Sequence, residues 1–387
     1  MSDKYKKETR LMHAGRKPED YFGVVNPPIC RTSTILYKDL AAYLDPNTKY
    51  RYGRVNNPLS QNFEEAVAEL EGGFHAISTS SGLAAITTAM LSFLKAGDHV
   101  LIVDSCYPPT RFFANKQLHS FGIDVEYYDP MIGAGIVDLI RDNTALVYLE
   151  SPGSATFEVQ DVPAIVKVAQ ESGVLTIMDN TYSAGVLFRP LDHGVDISVQ
   201  SAAKYLGGHS DVNLGIAVAA SEDHYKTMKA CAINLGVCAG AEDMYLALRG
   251  LRTLQMRLEH AGKNMRPVLN WFDGRAEVQE IYCPVLGNNA GHDNWARDFS
   301  GANGLFSALF KPEYTFDSVA QFIDSLDLFP VGSSWGGYES LIQPQNMDLY
   351  RSEWGHDGVF LRFQIGNEHP DDLIADLEQG IKHLNKE

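Results

Sequence analysis

Residues 175–204, LTIMDNTYSAGVLFRPLDHGVDISVQSAAK, contain two short apolar runs that each lead into polar residues. The run LTIM leads to Asp179 and Asn180, and the run DISVQS leads through two alanines to Lys204. Continuous apolar runs of this length are typical of strands in a parallel sheet that is covered on both faces. The stretch therefore predicts two buried strands, with a carboxylate and an amine just beyond their carboxyl ends.

Similar short apolar runs occur on both sides of this stretch. The runs HVLIVD (99–104), ALVYLE (145–150) and GIAVAA (215–220) are further strand candidates. Between the strand candidates lie segments with apolar residues at helical spacing, such as NFEEAVAELEGG (62–73) and DVPAIVKVAQESG (161–173). Strands that alternate with helices predict an α/β fold with a mostly parallel sheet.

The ends of the chain have a different character. Residues 1–60 are rich in Pro, Tyr and Asn and have little periodicity, so we predict an extended arm. A long helical stretch begins near residue 241, and helix-like and strand-like segments follow it to the C-terminus. We therefore predict an arm over 1–60, an α/β domain over 61–255 and a smaller α+β domain over 256–387.

Composition excludes several classes of protein. The chain has 32 basic and 49 acidic side chains and a net charge of −17, which argues against nucleic acid or an anionic membrane as a partner. Five scattered cysteines without ligand-like spacing predict reduced thiols and no metal site. The polar N-terminus and the absence of a long apolar run predict a cytoplasmic protein.

Ligands of open parallel sheets bind beyond the carboxyl ends of the strands, so the residues at those ends are site candidates. A lysine, carboxylates, hydroxyls and an aromatic ring follow the strand candidates, and all would lie at the edge of the sheet formed by the carboxyl ends of the strands. They are Tyr107, Glu150, Ser154, Asp179, Ser201 and Lys204. A Ser-Gly turn, Ser81–Gly82, precedes a further helix and offers free N–H groups at its start.

This set has a chemical meaning. A helix start suits a phosphate, a carboxylate suits a protonated ring nitrogen, a lysine amine forms a Schiff base with an aldehyde, and Tyr107 can stack on a ring. Phosphate, pyridinium and aldehyde together describe pyridoxal 5'-phosphate (PLP). Each residue also has an ordinary structural interpretation, as a helix cap, a turn former, a packed loop aromatic or a solvated lysine. Only their conjunction favours the cofactor.

The segment DNTYSAGVLFRPLDHGVDISVQSAAKYLGGHSD (179–211) resembles the cofactor-lysine region of the Cys/Met-metabolism family of PLP enzymes, the cystathionine lyases and synthases. The resemblance covers nearly the whole chain and implies the fold-type I PLP-dependent transferase fold, which is aspartate-aminotransferase-like. ESPGSATFEVQDVPAIV (150–166) and SSWGGYESLI (333–342) look most like the bacterial cystathionine β-lyase branch. Typical γ-acting members have Asn-Pro and Leu where this chain has Ser154, Ala155 and Trp335.

The resemblance implies a role for each matching residue. Lys204 would form the Schiff base and shuttle protons, Asp179 would pair with the ring nitrogen, and Tyr107 would stack on the ring. The N–H groups of Gly82 and Leu83, with Ser201, would hold the phosphate. Tyr52 and Arg54 of the arm would reach the phosphate of a neighbouring subunit, and the family favours a homotetramer. Arg362 would bind the substrate carboxylate, with Ser334 and Trp335 in the same pocket.

Two of these roles also have support from the residues themselves. Arg362 interrupts the apolar run VFLRFQI, where a cation needs an anionic partner or solvent, and a carboxylate suits it. A structural ion pair is the alternative. Tyr52 and Arg54 lie on an arm too poor in apolar periodicity to form its own core, so a partner subunit could fix it. One departure from the family is Ala203, where members commonly have Thr or Ser before the lysine.

The expected activity is β-elimination of L-cystathionine to homocysteine, pyruvate and ammonia. A γ-acting enzyme, such as a cystathionine γ-lyase or γ-synthase or an O-acetylhomoserine sulfhydrylase, is the first alternative, and an inactive PLP scaffold is a second. A Ser/His/Asp hydrolase built on His209, Ser210 and Asp211 is disfavoured. Three consecutive residues do not generally converge as a triad, and the chain has no GxSxG turn.

Overall fold

The computed structural model describes residues 4–385. Its helices are Lys7–His13 (α1), Leu40–Leu44 (α2), Pro58–Glu71 (α3), Gly82–Phe93 (α4), Pro108–Phe113 (α5), Val162–Glu171 (α6), Glu222–Leu235 (α7), Ala241–Leu251 (α8), Leu254–Phe272 (α9), His292–Asp298 (α10), Phe316–Asp324 (α11) and Pro370–Gly380 (α12). Its strands are His75–Thr79 (β1), His99–Val103 (β2), Asp124–Tyr128 (β3), Thr144–Glu150 (β4), Leu175–Asp179 (β5), Ile197–Ser201 (β6), Gly215–Ala219 (β7), Val278–Tyr282 (β8), Leu305–Phe310 (β9), Leu341–Gln345 (β10) and Phe360–Gln364 (β11).

The larger sheet has seven strands in the order β1-β7-β6-β5-β4-β2-β3. Strands β3, β2, β4, β5 and β6 run parallel, and β7 pairs antiparallel with both β6 and β1. Both β2 and β7 are buried along their whole length, as expected for a sheet with helices on both faces. The predicted mostly parallel α/β fold is confirmed.

The smaller sheet has four antiparallel strands in the order β10-β11-β9-β8 and lies in the C-terminal part of the chain, which confirms the predicted α+β region. Helix α9 joins the two parts. Its first half contributes Leu254 and Leu258 to the core of the larger sheet, and its second half contributes Met265 and Phe272 to the core of the smaller one. A domain boundary between 255 and 256 remains a proposal, because a single helix belongs to both cores.

The N-terminal segment is not extended throughout, and this part of the arm prediction was wrong. Residues 7–13 form helix α1, whose Leu11 is buried, and the Lys7 amine donates a 2.6 Å hydrogen bond to the Gly185 carbonyl. An isolated apolar residue gives no periodic signal, so the sequence did not reveal this packing. From Phe22 to Tyr52 the segment exposes a series of large apolar side chains, as an arm would. They are Phe22, Val24, Val25, Ile29, Leu36, Leu40, Tyr43, Leu44 and Tyr52.

Within residues 4–385, none of the helices combines the length and the apolar character that crossing a membrane requires.

Candidate active site

The carboxyl ends of the parallel strands open onto a cavity of about 240 Å³. Two of the strand-end candidates, Glu150 and Ser154, line it together with eight residues to which the resemblance gives a role: Gly82, Leu83, Tyr107, Asp179, Ser201, Lys204, Trp335 and Arg362. The first six of these eight come from the larger sheet and its helices, and the last two come from the C-terminal part. The cavity therefore lies between the two sheets, where the rule for open parallel sheets places a ligand.

Lys204 lies in the turn that follows β6, and its amine enters the cavity. The amine donates a 2.7 Å hydrogen bond to the Ser334 hydroxyl and lies 5.5 Å from the centre of the Trp335 ring. Burial, with a smaller contribution from the nearby Arg362, outweighs the opposing effect of Asp179 and lowers the pKa of Lys204 to about 8. A large fraction of this amine is therefore neutral near pH 8, as a nucleophile or base requires.

Asp179 ends β5, and its carboxylate is buried. One oxygen, Oδ1, accepts hydrogen bonds from the backbone N–H and the hydroxyl of Thr181, at 2.8 and 2.5 Å. These bonds fix the carboxylate, and Asp179 lines the cavity. Burial raises the pKa of Asp179, and a cationic ring nitrogen opposite it would lower that pKa again, because opposite charge favours the ionised form.

The start of α4 forms a cradle with Ser201. Ser81 caps the helix by accepting from the Ala84 N–H at 3.1 Å, so the N–H groups of Gly82 and Leu83 precede the intrahelical bonds. A side chain at Gly82 would place its Cβ 2.6 Å from the Ser201 Cβ and 2.8 Å from its hydroxyl oxygen. Only glycine lets the helix start lie this close to the end of β6. The cradle combines N–H donors, a helix N-terminus and a hydroxyl, which suit a phosphate.

Tyr107 precedes α5, lines the cavity and is 43% exposed. The backbone N–H of Tyr107 donates a 2.7 Å hydrogen bond to Glu150 Oε2, at the end of β4. A ring held by its backbone at a cavity wall is suited to stacking on a flat ligand.

Arg362 lies on β11 with its guanidinium at the cavity. Its Nη2 atom donates to the Gln343 side-chain oxygen at 2.6 Å and to the Ser334 carbonyl at 3.1 Å. Gln343 is the register partner of Arg362 on β10. Because these neutral acceptors leave the charge uncompensated, burial lowers the pKa of Arg362, and an anionic ligand would stabilise it.

The predicted Ser334 and Trp335 reach the site in different ways. The hydroxyl of Ser334 accepts from Lys204, whereas the Trp335 ring lines the cavity and packs against Tyr205 with 5.7 Å between ring centres. Ala203 also lines the cavity, and its side chain offers no hydrogen-bond donor.

Tyr350 also lines the cavity, and the sequence did not predict it as a site residue. The segment 350–352 is held against the larger sheet by Arg111, which donates to the Tyr350 carbonyl at 3.2 Å and to Asp104 Oδ1 at 2.7 Å. Asp104 also accepts the Ser352 N–H, and Arg351 pairs with Glu158. We call these contacts the inter-sheet clamp. Non-periodic loop residues such as these carry no signal in a single sequence.

Tyr52 and Arg54 do not line the cavity of their own chain. Tyr52 is 45% exposed, and Arg54 donates a 2.9 Å hydrogen bond to the Ile233 carbonyl on α7. Their predicted role across a subunit interface stays a prediction.

The residues of the disfavoured hydrolase do not form a triad. The Ser210 hydroxyl donates to Glu339 Oε1 at 2.5 Å, and the His209 ring contacts the Gly207 carbonyl instead of Ser210. Among the residues described, no group of three or more His, Cys, Asp or Glu side chains is arranged to hold a metal ion.

The chain is similar in sequence to known PLP-dependent enzymes. Residues 8–382 match the family described as "Cys/Met metabolism PLP-dependent enzyme". Cystathionine beta-lyase MetC of Escherichia coli is 38% identical over 396 residues, which cover 99% of this chain and 100% of that protein. An L-alanine/L-glutamate racemase of Wolbachia pipientis is 38% identical over 398 residues, which cover 98% of each.

The three-dimensional comparison agrees with the sequence comparison. The crystal structure of cystathionine gamma synthase from Xanthomonas oryzae, in complex with aminoacrylate and cysteine, matches with a TM-score of 0.91 and 30% identity over 98% of both chains. The chain belongs to the Cys/Met-metabolism family of PLP-dependent enzymes.

Proposed function

We propose that this enzyme is a carbon–sulfur β-lyase, which cleaves L-cystathionine with water to homocysteine, pyruvate and ammonia. The observation that carries the proposal is the convergence of Lys204, Asp179 and Arg362 on one cavity with Trp335 in its wall. The first three supply an amine, a carboxylate for a ring nitrogen and a cation for a substrate carboxylate. Tryptophan in the wall is the feature shared with the β-acting branch of the family.

The cavity fits PLP. The cradle of Gly82, Leu83 and Ser201 would hold the phosphate, and the carboxylate of Asp179 would face the ring nitrogen. Tyr107 would stack on the ring. The side chain of Lys204 would carry the Schiff base.

When bound, PLP supplies an electron sink for the charge left on the substrate Cα after proton removal. The chain's own residues prepare that removal. Arg362 binds the α-carboxylate and fixes the orientation of Cα, since its guanidinium has only neutral partners in the protein. Lys204 takes the proton from Cα and returns a proton to the departing sulfur. Its lowered pKa keeps enough neutral amine for the first step.

Two other activities fit the same cavity and must be separated by experiment. A γ-acting enzyme is favoured by the likeness to a cystathionine gamma synthase structure. A racemase is favoured by the Wolbachia relative, whose identity of 38% equals that of the Escherichia coli lyase. These two relatives alone therefore do not choose between lyase and racemase.

Product analysis chooses among the three. Purified protein is incubated with PLP and L-cystathionine, and the keto acid is identified. Pyruvate with homocysteine supports the proposal, whereas 2-oxobutyrate with cysteine shows γ-elimination. A second incubation, with L-alanine alone, tests for D-alanine. D-Alanine without any keto acid from L-cystathionine would show a racemase and overturn the proposal.

We also propose that the active form contains at least two chains and that the full assembly is a homotetramer. The exposed apolar side chains between Phe22 and Tyr52 support this proposal, because a second copy would cover them. Tyr52 and Arg54 would then reach the phosphate cradle of that copy. A cytoplasmic location stays a prediction from the sequence.

A further inference from the structure

Glu150 is a buried carboxylate of the cavity that the mechanism above does not use. It ends β4 and is the register partner of Asp179 on β5, so two carboxyl groups lie side by side at the rim. Glu150 is 8% exposed, as is Asp179. Two carboxylates in one buried site repel each other, and a fold retains both only where each has a task or a partner.

The two oxygens of Glu150 have different partners. Oε2 accepts the backbone N–H of Tyr107 at 2.7 Å, and Oε1 accepts the hydroxyl of Ser154 at 2.6 Å. Tyr107 and Ser154 both line the cavity, on the segments that follow β2 and β4. Glu150 thus joins the turn that carries the Tyr107 ring to the turn that carries the Ser154 hydroxyl.

The surroundings of Glu150 favour its protonated form. Burial raises its pKa, the charge of Asp179 raises it further, and the bonds from Ser154 and Tyr107 oppose this only in part. The other titratable or charged groups that face it are Arg351 on the inter-sheet clamp, Cys106 and the phenols of Tyr107, Tyr148 and Tyr350. Arg351 is the one cation among them, and it pairs with Glu158.

Protonation of Glu150 reverses the direction of its hydrogen bond with Ser154. Oε2 faces an N–H group, which only donates, so the proton must lie on Oε1. The protonated Oε1 then donates to the Ser154 oxygen, and the Ser154 hydrogen turns away from Glu150. When Glu150 is ionised, the Ser154 hydroxyl donates its hydrogen to Oε1 and cannot donate it to a ligand in the cavity.

We propose that Glu150 is a positioning residue whose proton directs the Ser154 hydroxyl toward an acceptor oxygen of the bound amino-acid substrate. The inference rests on the proposed function only in assuming an amino-acid substrate with an anionic oxygen. Raising the pH ionises Glu150, withdraws the Ser154 donor and weakens substrate binding. The effect falls on KM, because the hydroxyl acts on the bound substrate and not on the proton transfer.

The test compares four PLP-loaded enzymes: wild type, Glu150→Gln, Ser154→Ala and the double variant. Glutamine keeps an acceptor for the Tyr107 N–H and a donor for Ser154, so it imitates the permanently protonated acid. Pyruvate release from L-cystathionine is measured from about pH 6.5 to pH 10, with active sites counted from the absorbance of bound cofactor. Wild-type pyruvate release itself tests the proposed lyase function. A failure of that function would therefore be distinguishable from a failure of the proposed role of Glu150.

In the wild type we expect KM to rise on the alkaline side, and in Glu150→Gln we expect this rise to disappear. Ser154→Ala should raise KM about tenfold at low pH, the scale of one hydrogen bond to a charged group, and should show no further alkaline rise. The double variant should resemble Ser154→Ala at every pH.

An alkaline rise of KM that persists in Ser154→Ala would show that Glu150 acts by its charge alone, and it would overturn the proposal. An unchanged profile in Glu150→Gln would overturn it as well. If Glu150→Gln fails to fold, the profile of Ser154→Ala decides the matter alone.

Discussion

The amine of Lys204 donates a 2.7 Å hydrogen bond to the hydroxyl of Ser334, a residue 130 positions away in the chain. Lys204 follows a strand of the larger sheet, whereas Ser334 precedes a strand of the smaller one. The bond therefore orients the reactive amine by a contact between the two sheets. Ser334 also accepts a hydrogen bond from Arg362 at its carbonyl, so one residue contacts both the amine and the guanidinium that we propose binds the substrate carboxylate.

Replacing Lys204 by alanine should abolish pyruvate formation. The variant lacks both the group that carries the Schiff base and the base that takes the Cα proton. Borohydride treatment followed by mass analysis should find no cofactor attached to it. The matched control is Lys226→Ala, because Lys226 is an exposed lysine paired with Glu222 on α7, and it should retain wild-type activity. A cofactor-bound, active Lys204→Ala enzyme would contradict the assignment.

Attachment of PLP to the cofactor-free protein should depend on pH with a midpoint near 8. The folded-state pKa of Lys204 lies at about 8, below the ordinary lysine value of 10.5. Below pH 8 the amine is mostly an unreactive ammonium, and above it the neutral nucleophile predominates. The rate of formation of a borohydride-reducible linkage should therefore rise through pH 8 and level off above about pH 9. A rate that continues to climb toward pH 10 would show an unperturbed lysine.

Replacing Arg362 by lysine should raise KM for L-cystathionine by about tenfold or more, because an ammonium cannot form the two parallel hydrogen bonds that a guanidinium offers to a carboxylate. The cofactor spectrum should be unchanged, since the contacts of Arg362 do not involve the phosphate cradle. Arg297→Lys, a change at an arginine paired with Asp161 and Asp298 on the surface, is the control. A variant with normal KM would place the substrate carboxylate elsewhere.

Replacing Ala203 by serine should tighten PLP binding. The side chain of Ala203 lines the cavity beside Lys204, and a hydroxyl there would add a donor near the cradle. One hydrogen bond to a charged group corresponds to roughly a tenfold change in affinity. Ser201→Ala should change the affinity in the opposite direction by a similar factor. Equilibrium titration of the cofactor-free variants with PLP measures both, and equal affinity of Ala203→Ser and wild type would place the phosphate out of reach of residue 203.

Mixing two inactive variants should restore activity if the arm serves a neighbouring subunit. Arg54→Ala should impair the cradle of the partner, and Lys204→Ala should inactivate its own cavity. A mixed dimer then contains one cavity with both an intact lysine and an intact arm. Co-expression should give clearly more pyruvate than either variant alone. Co-expressed chains that stay inactive, although they co-purify, would show that Arg54 acts within its own chain.

The sequence revealed those site residues that follow a periodic element. Asp179 and Lys204 come after apolar runs, and parallel strands bring their carboxyl ends to one rim, so their meeting followed from the pattern alone. Arg362 stood out because a cation in an apolar run requires a partner. Gly82 was found from the helix start, although the close approach of Ser201 that requires a glycine appears only in three dimensions.

Other parts of the molecule had no such signal. Strand β3, with the sequence DVEYY, lies at the edge of the sheet and is only partly buried, so it lacks an apolar run. Gln343 was missed because its task depends on the register between β10 and β11, which a single sequence does not fix. Tyr350 lies in a loop whose position is determined by Arg111 and Asp104, more than 200 residues earlier in the chain.

The inter-sheet clamp has a consequence for how the enzyme tolerates acid. Burial alone would raise the pKa of Asp104, but the hydrogen bonds from Ser352 and Arg111 outweigh it, and the pKa lies below the usual aspartate value. A depressed pKa means that the clamp contributes its full stability above the unfolded-state pKa and loses it as the pH falls through the folded-state value. Acid would thus weaken the contacts that hold residues 350–352 against the larger sheet. Acid would then act in two places, on the amine of Lys204 and on the contacts that hold Tyr350 in the cavity wall.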